Sequence, residues 1–122
     1  MKNNNQLMDD MYKWAFKNNR LISVTIELTS LCNWRCVHCY IPDYQIYGLP
    51  YEKIIELLYQ LRENNVFDLI LTGGEALLRE DLVDIVSFAR RLGFRVSILS
   101  NASLVTEDFA KKLSKLYTSA FF

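Results

Sequence analysis

The sequence alternates short apolar segments with longer segments of helical periodicity. Three short segments have strand composition, and they cover residues 23–28, 66–72 and 94–99. Apolar residues at helical spacing predict helices over residues 7–17, 50–64, 82–92 and 106–116. Such alternation is typical of parallel strands joined by right-handed helical crossovers. We therefore predict an α/β fold built from parallel β/α units.

The two ends of the chain carry weaker patterns. Residues 1–6 are rich in asparagine, and we expect them to fray. The pattern separates residues 1–20, a tail and a helix, from residues 21–122, which form one domain or part of one. We expect a fourth strand to begin at Ala120, beside the two terminal phenylalanines.

The charge balance argues against two classes of function. Fourteen Lys and Arg balance fourteen Asp and Glu, so the chain has no basic excess for binding phosphate backbones or anionic membranes. No apolar run reaches the roughly 18 residues of a membrane-spanning helix. Residues 1–20 also lack the apolar core of a secretory signal. We expect a cytoplasmic protein without nucleic-acid or membrane partners.

All three cysteines lie within eight residues, directly after the first predicted strand. A secreted domain usually spreads an even number of cysteines over its loops, so Cys32, Cys36 and Cys39 indicate a metal or redox site instead. A four-iron cluster has four corners, and three thiolates would leave one iron open. A substrate or cofactor can bind a metal at such an open position.

Two other sites use the same thiols. A structural zinc ion would take the three cysteines with His38 or a distant residue, although His38 directly precedes Cys39 and is poorly placed to join the same tetrahedron. A second ligand pair is absent, because the chain has three cysteines and one histidine in all. A thiol–disulfide site would need only Cys36 and Cys39. We favour the iron–sulfur cluster, and zinc stays open as an alternative.

A second unusual loop, Gly73-Gly74-Glu75, follows the second predicted strand. Ligands bind at the carboxyl ends of parallel strands, and neighbouring strands would bring this loop beside the cysteines. Glycines allow the backbone to approach a ligand closely. They are also compatible with a tight turn, and Glu75 with a carboxylate at a helix N-terminus.

These two motifs together resemble the radical S-adenosylmethionine (radical SAM) superfamily. The Cys-x3-Cys-x2-Cys spacing resembles that family's cluster motif, and Gly73-Gly74-Glu75 matches its GGE motif. The segments ELTSLCNWRCVHCY and LTGGEALLREDL are similar to the branch that modifies ribosomal peptides, which includes coenzyme PQQ synthesis protein E and other maturases with a SPASM domain. The resemblance extends from Leu21 to the C-terminus and implies a partial, TIM-like barrel.

The resemblance also implies cofactors and their ligands. Cys32, Cys36 and Cys39 would hold a [4Fe–4S] cluster whose open iron takes the amino and carboxylate groups of SAM. The reduced cluster would cleave SAM to methionine and a 5′-deoxyadenosyl radical, which abstracts hydrogen from the substrate. Further contacts to SAM are expected from Glu75 to its ammonium, from the backbone of His38 to its adenine, and from Gly73, Gly74, Ser100 and Asn101. No side chain is assigned a catalytic role beyond the cluster ligands.

The implied partners are a peptide substrate and an electron donor such as a flavodoxin or ferredoxin. The family's barrel has six β/α units, whereas this sequence predicts about three. We therefore interpret residues 21–122 as the N-terminal half of a radical SAM domain, from a truncated or fragmentary enzyme that needs the missing part or a second chain. The alternative is a non-catalytic remnant or a zinc-binding module.

Overall fold

One parallel sheet of four strands organises the molecule. The computed structural model describes residues 3–116 and 119–121. Along the sheet, the strands follow chain order: β1 (Ser23–Glu27), β2 (Asp68–Thr72), β3 (Arg95–Leu99) and β4 (Ser119–Phe121). The predicted α/β fold with parallel β/α units is confirmed. The fourth strand begins at Ser119, one residue before the predicted position, and Phe122 lies outside the described residues.

The described residues form four helices: the first precedes β1, and each of the other three lies between two consecutive parallel strands. They are α1 (Asn4–Lys17), α2 (Tyr51–Glu63), α3 (Leu82–Arg91) and α4 (Glu107–Lys115), with a 3₁₀ turn at Ala76–Leu78. Thr106 caps α4 as predicted, because its hydroxyl accepts a 3.1 Å hydrogen bond from the Phe109 N–H. No helix within residues 3–116 is both long and apolar enough to cross a membrane.

The expectation that residues 1–6 fray is wrong for the part of that segment that the structure describes. Asn3 is the N-cap of α1, and its side-chain oxygen accepts a 2.8 Å hydrogen bond from the Gln6 N–H. A side-chain acceptor at this position satisfies one of the N–H groups that a helix start leaves free. The helix therefore begins at Asn4 instead of Leu7.

The apolar core fills the space between the sheet and the crossover helices. Alternate strand residues point into it, and so do the inner faces of α2 and α3; the fully buried members include Leu69, Leu71, Val96, Ile98, Ile54, Leu58, Ile85 and Val86. The opposite face of the sheet carries polar residues. There the guanidinium of Arg95 binds both carboxylate oxygens of Asp68, each at 2.6 Å. The sheet thus has one apolar face in the core and one face on which polar residues are mixed with Ile70 and Leu99.

Candidate functional site

The cysteines lie on a long irregular segment between β1 and α2 whose two ends are fastened together. Both hydroxyls at its start, those of Thr29 and Ser30, donate to the Ile46 carbonyl oxygen at 3.1 and 3.0 Å. The Ser30 N–H donates to the same carbonyl at 2.8 Å, and the Ile46 N–H donates back to the Ser30 hydroxyl at 2.8 Å. Residues 31–45 therefore form a closed loop that stands on the end of β1. We name it the cysteine loop.

A buried arginine, which the sequence analysis missed, binds the segment that leads from the cysteine loop to α2. Arg79 is 2% exposed, and its guanidinium donates to the carbonyl oxygens of Leu28 at 3.0 Å and Leu49 at 2.6 Å. Its other nitrogens bind both carboxylate oxygens of Asp81, at 2.8 and 2.7 Å. These hydrogen bonds lower the pKa of Asp81 below its ordinary value. Gly48 lies in the same contact, where an added Cβ would stand 2.0 Å from the Leu28 carbonyl oxygen.

The three thiols are free, and they lie at or near the surface. A hydrogen bond from the Tyr44 hydroxyl, a backbone hydrogen bond at Ile41 and the charge of Arg35 together lower the pKa of the Cys39 thiol. The Arg35 guanidinium also lies 3.9 Å from the centre of the Tyr44 ring. Within residues 3–116, no three His, Cys, Asp or Glu side chains come together as a metal-binding group. The cysteine loop would therefore have to close around a metal centre.

The residues beside Cys39 differ in how they are held. His38 is exposed on the loop surface. Tyr40 donates from its hydroxyl to Glu27 Oε1 at 2.8 Å, which ties the loop to the last residue of β1. This hydrogen bond raises the pKa of Tyr40.

The glycine loop lies directly against the base of the cysteine loop. The Gly74 N–H donates to the Thr29 carbonyl oxygen, and the Glu75 N–H to that of Leu31, both at 2.8 Å. A Cβ on Gly73 would stand 2.4 Å from the Thr29 oxygen, and one on Gly74 would stand 2.3 Å from the Leu31 oxygen. The two loops therefore lie side by side as predicted, and the glycines are required because two backbones meet there.

Glu75 reaches the end of β3 from the glycine loop. Glu75 is 1% exposed. Its carboxylate accepts hydrogen bonds from the Leu77 N–H at 3.1 Å, the Ser100 hydroxyl at 2.8 Å and the Asn101 N–H at 2.8 Å. Glu75 is also the N-cap of the 3₁₀ turn, which is close to the alternative interpretation of this residue as a carboxylate at a helix N-terminus. The structure thus brings three of the predicted cofactor-binding residues, Glu75, Ser100 and Asn101, into one hydrogen-bonded group.

Asn33, which directly follows Cys32, connects the cysteine loop to the same group. Its side-chain nitrogen donates to the Ser103 hydroxyl at 2.8 Å, and its oxygen accepts from the side chain of Asn101 at 3.0 Å. The Ser103 hydroxyl donates to Asn101 Oδ1 at 2.7 Å, which closes a ring of three hydrogen bonds. Sequence reasoning missed Asn33 because its partners are 68 and 70 residues away along the chain.

The donor set fits an iron–sulfur cluster with one open iron. Three unpaired thiols on one loop supply three ligands. The loop around them has no helix or strand that would need to break for the sulfurs to converge. The neighbouring carboxylate and amides lie at the carboxyl edge of the sheet, where parallel β/α folds bind ligands.

Comparison with known proteins finds a family match and several similar proteins. The family model described as the Radical SAM superfamily matches residues 26–121. Fe-coproporphyrin III synthase of Methanosarcina barkeri is 31% identical over 104 residues, which are 83% of this chain and 26% of that protein. PqqA peptide cyclase of Streptomyces rochei is 36% identical over 93 residues, 74% of this chain and 26% of that protein. The chain therefore spans about a quarter of the length of these relatives.

The fold has a solved counterpart. The crystal structure of Streptococcus suis SuiB bound to its precursor peptide SuiA matches with a TM-score of 0.73 and 20% identity, over 94% of this chain and 28% of that chain. SuiB bound to S-adenosylmethionine matches with a TM-score of 0.71, 20% identity, and coverage of 98% and 29%. At 20% identity, this similarity shows that the chain and SuiB share a fold. The predicted half of a TIM-like barrel is thereby confirmed.

Proposed function

The chain belongs to the radical SAM superfamily, and on that premise we propose that it is the N-terminal portion of an enzyme that binds a [4Fe–4S] cluster and SAM. Cys32, Cys36 and Cys39 would hold the cluster. The observation that supports the proposal is that the loop with the three free cysteines packs against the loop with Glu75, through hydrogen bonds from the Gly74 and Glu75 N–H groups, where these loops follow neighbouring strands. Such a group would supply, when bound, the electron that cleaves SAM and so starts hydrogen abstraction from a substrate.

The residues of the chain would bind and orient SAM. An ionised carboxylate has about four acceptor positions. The three donors on Glu75 leave one position, which we assign to the SAM ammonium as a charge-assisted hydrogen bond. Ser100 and Asn101 would act by holding this carboxylate in place. His38, exposed at the loop surface, is free to contact the adenine through its backbone, with Gly73 and Gly74 lining the approach.

We propose a ribosomally made peptide as the substrate. The names of two similar proteins support this class: PqqA peptide cyclase and SuiB, which was solved with its precursor peptide. Fe-coproporphyrin III synthase stands for a different substrate class among the relatives. An electron donor such as a flavodoxin or ferredoxin completes the proposed reaction.

Anaerobic reconstitution with iron and sulfide tests the metal site. We expect a reduced four-iron EPR signal that changes when SAM is added. Cys36→Ala should abolish cluster incorporation, and the matched variant His38→Ala should keep it, because the imidazole is not a proposed ligand. Zinc in place of iron, with zinc lost from His38→Ala, would establish the zinc-binding module instead.

Isotope transfer tests the substrate class independently. The reduced chain would be incubated with SAM and a peptide digest from deuterated cells, or with a deuterated porphyrin-type precursor from which Fe-coproporphyrin III is made. We expect deuterium in 5′-deoxyadenosine from the peptides alone. Transfer from the porphyrin would refute the peptide assignment, and it would leave the cluster assignment intact.

A further inference from the structure

A ring of three side chains joins the first cysteine's neighbour to the end of β3. In this ring Asn33 donates to Ser103, Ser103 donates to Asn101, and Asn101 donates back to Asn33, at 2.8, 2.7 and 3.0 Å. Each member donates once and accepts once within the ring. A donor outside the ring fixes its direction, because the Ser103 N–H also donates to Asn101 Oδ1 and so sets which way the Asn101 amide faces.

The β3 side of the ring is anchored independently of the cysteine loop. The Asn101 N–H donates to Glu75 Oε2 at 2.8 Å, and the Ser103 N–H donates to Asn101 Oδ1 at 3.0 Å. Between them, Ala102 has a positive φ of 64°, and its N–H donates to the Ser100 hydroxyl at 3.0 Å. A strained backbone held by several hydrogen bonds presents Asn101 and Ser103 as a fixed surface for the loop.

The cysteine loop has other anchors. The Glu75 N–H donates to the carbonyl oxygen of Leu31, directly before Cys32, at 2.8 Å, and within the loop the Arg35 guanidinium donates to the Cys32 carbonyl oxygen at 2.7 Å. The hydrogen bonds of Ser30 and Ile46 close the base of the loop, and Tyr40 fastens the stretch after Cys39. Asn33 directly follows Cys32, and its two side-chain hydrogen bonds tie this side of the cysteine to the residues after β3, whereas the hydrogen bond at Leu31 ties the other side to the glycine loop.

We propose that Asn33, Asn101 and Ser103 are positioning residues that hold Cys32 beside the Glu75 carboxylate before a metal centre assembles. The inference deepens the proposed function and rests on it for the identity of the metal centre. The ring leaves Cys32 nearly in place, so that closure of the loop around a cluster requires movement mainly of the two later cysteines. Asn33 acts through Cys32 and does not itself bind the metal.

The first experiment measures the loop without any cofactor. Trp34 lies within the cysteine loop, and replacing the other tryptophan in a Trp14→Phe background isolates its fluorescence. Asn33→Ala and Ser103→Ala should each lower the residual anisotropy of Trp34, and the double variant should lower it no further than Asn33→Ala alone. Asn5→Ala on α1 is the matched control and should leave it unchanged. Unchanged anisotropy in Asn33→Ala, or additive effects in the double variant, would refute the proposal that the ring restrains the cysteine loop.

The second experiment measures the metal centre. In reconstituted chain, the rate at which a chelator removes the cluster should rise roughly five- to tenfold in Asn33→Ala, as expected for the loss of two hydrogen bonds. Its melting temperature should match that of Asn5→Ala, because the ring is outside the core. An unchanged rate of cluster loss would refute the positioning role. If the unaltered chain takes up no cluster, the proposed function fails, and the anisotropy still decides whether the ring holds the loop.

Discussion

The hydroxyl of Ser100 donates a 2.8 Å hydrogen bond to Glu75 Oε1 and so joins the end of β3 to the loop that follows β2. The carboxylate that receives it is 1% exposed and also accepts two main-chain N–H groups. Glu75 therefore orders the carboxyl edge of the sheet, whatever it binds. A substitution at this residue should affect folding as well as ligand binding.

Glu75→Gln should destabilise the chain by about 2 kcal/mol, since the new NH₂ group would face an N–H or O–H donor in a buried position. Ser100→Ala removes the donor to Glu75 and the acceptor for the Ala102 N–H, and it should cost about 1–2 kcal/mol. Urea unfolding of the chain without cofactors measures both values. If Glu75→Gln unfolds at the same urea concentration as the original chain, the three hydrogen bonds do not order this edge.

Gly74→Ala tests why glycine stands beside the cysteine loop. Its Cβ would lie 2.3 Å from the Leu31 carbonyl oxygen, so the two backbones must separate, at a cost of about 2 kcal/mol or more. Gly93→Ala is the matched control, because that Cβ would have 3.9 Å of space and only the φ of 91° would strain it. We expect about 1 kcal/mol there. Thermal unfolding that ranks Gly93→Ala as the more harmful change would contradict the close approach.

The strands and helices were predictable because their signals are local. Alternating or helical apolar spacing identified β1 to β3 and α1 to α4, and the capping hydroxyl of Thr106 marked the start of α4 correctly. The start of α1 was missed because asparagine is common both in frayed ends and at N-caps, and only the hydrogen bond from Gln6 to Asn3 distinguishes them.

The residues that make up the site were predictable, whereas the residues that hold its loops in place were not. Parallel topology places the loops after β1 and β2 side by side, so the neighbourhood of the thiols and Glu75 followed from strand order. Arg79 carried no such signal, because a charged residue in a loop usually faces solvent. Its burial depends on two carbonyl oxygens 30 and 51 residues away, which no local pattern specifies.

Ala102→Gly should stabilise the chain, because Ala102 is a non-glycine residue with a φ of 64°. Relief of the left-handed strain is worth about 1 kcal/mol, offset in part by the greater freedom of glycine in the unfolded chain. Ala110→Gly, on the exposed side of α4, is the control with the opposite sign and should cost about 1 kcal/mol. Urea unfolding that gives both variants the same sign would show that Ala102 is unstrained.

The Arg79–Asp81 pair predicts a specific loss of stability in acid. Hydrogen bonds from Arg79 lower the pKa of Asp81 in the folded chain, whereas the unfolded chain has the ordinary value of about 3.9. A depressed folded pKa contributes stability that is complete above the unfolded value and is lost as the pH falls through the folded one. We therefore expect the free energy of unfolding to fall more steeply below about pH 4 in the original chain than in Asp81→Asn.

Other carboxylates also titrate in this range, so the quantity to measure is the difference between the two chains. Urea unfolding at several pH values between neutrality and acid would give it. Asp9→Asn is a suitable control, because its partner Lys13 lies with it on the exposed surface of α1 and such pairs contribute little. A difference between the original chain and Asp81→Asn that stays constant with pH would mean that the ion pair does not hold Arg79 beneath the cysteine loop.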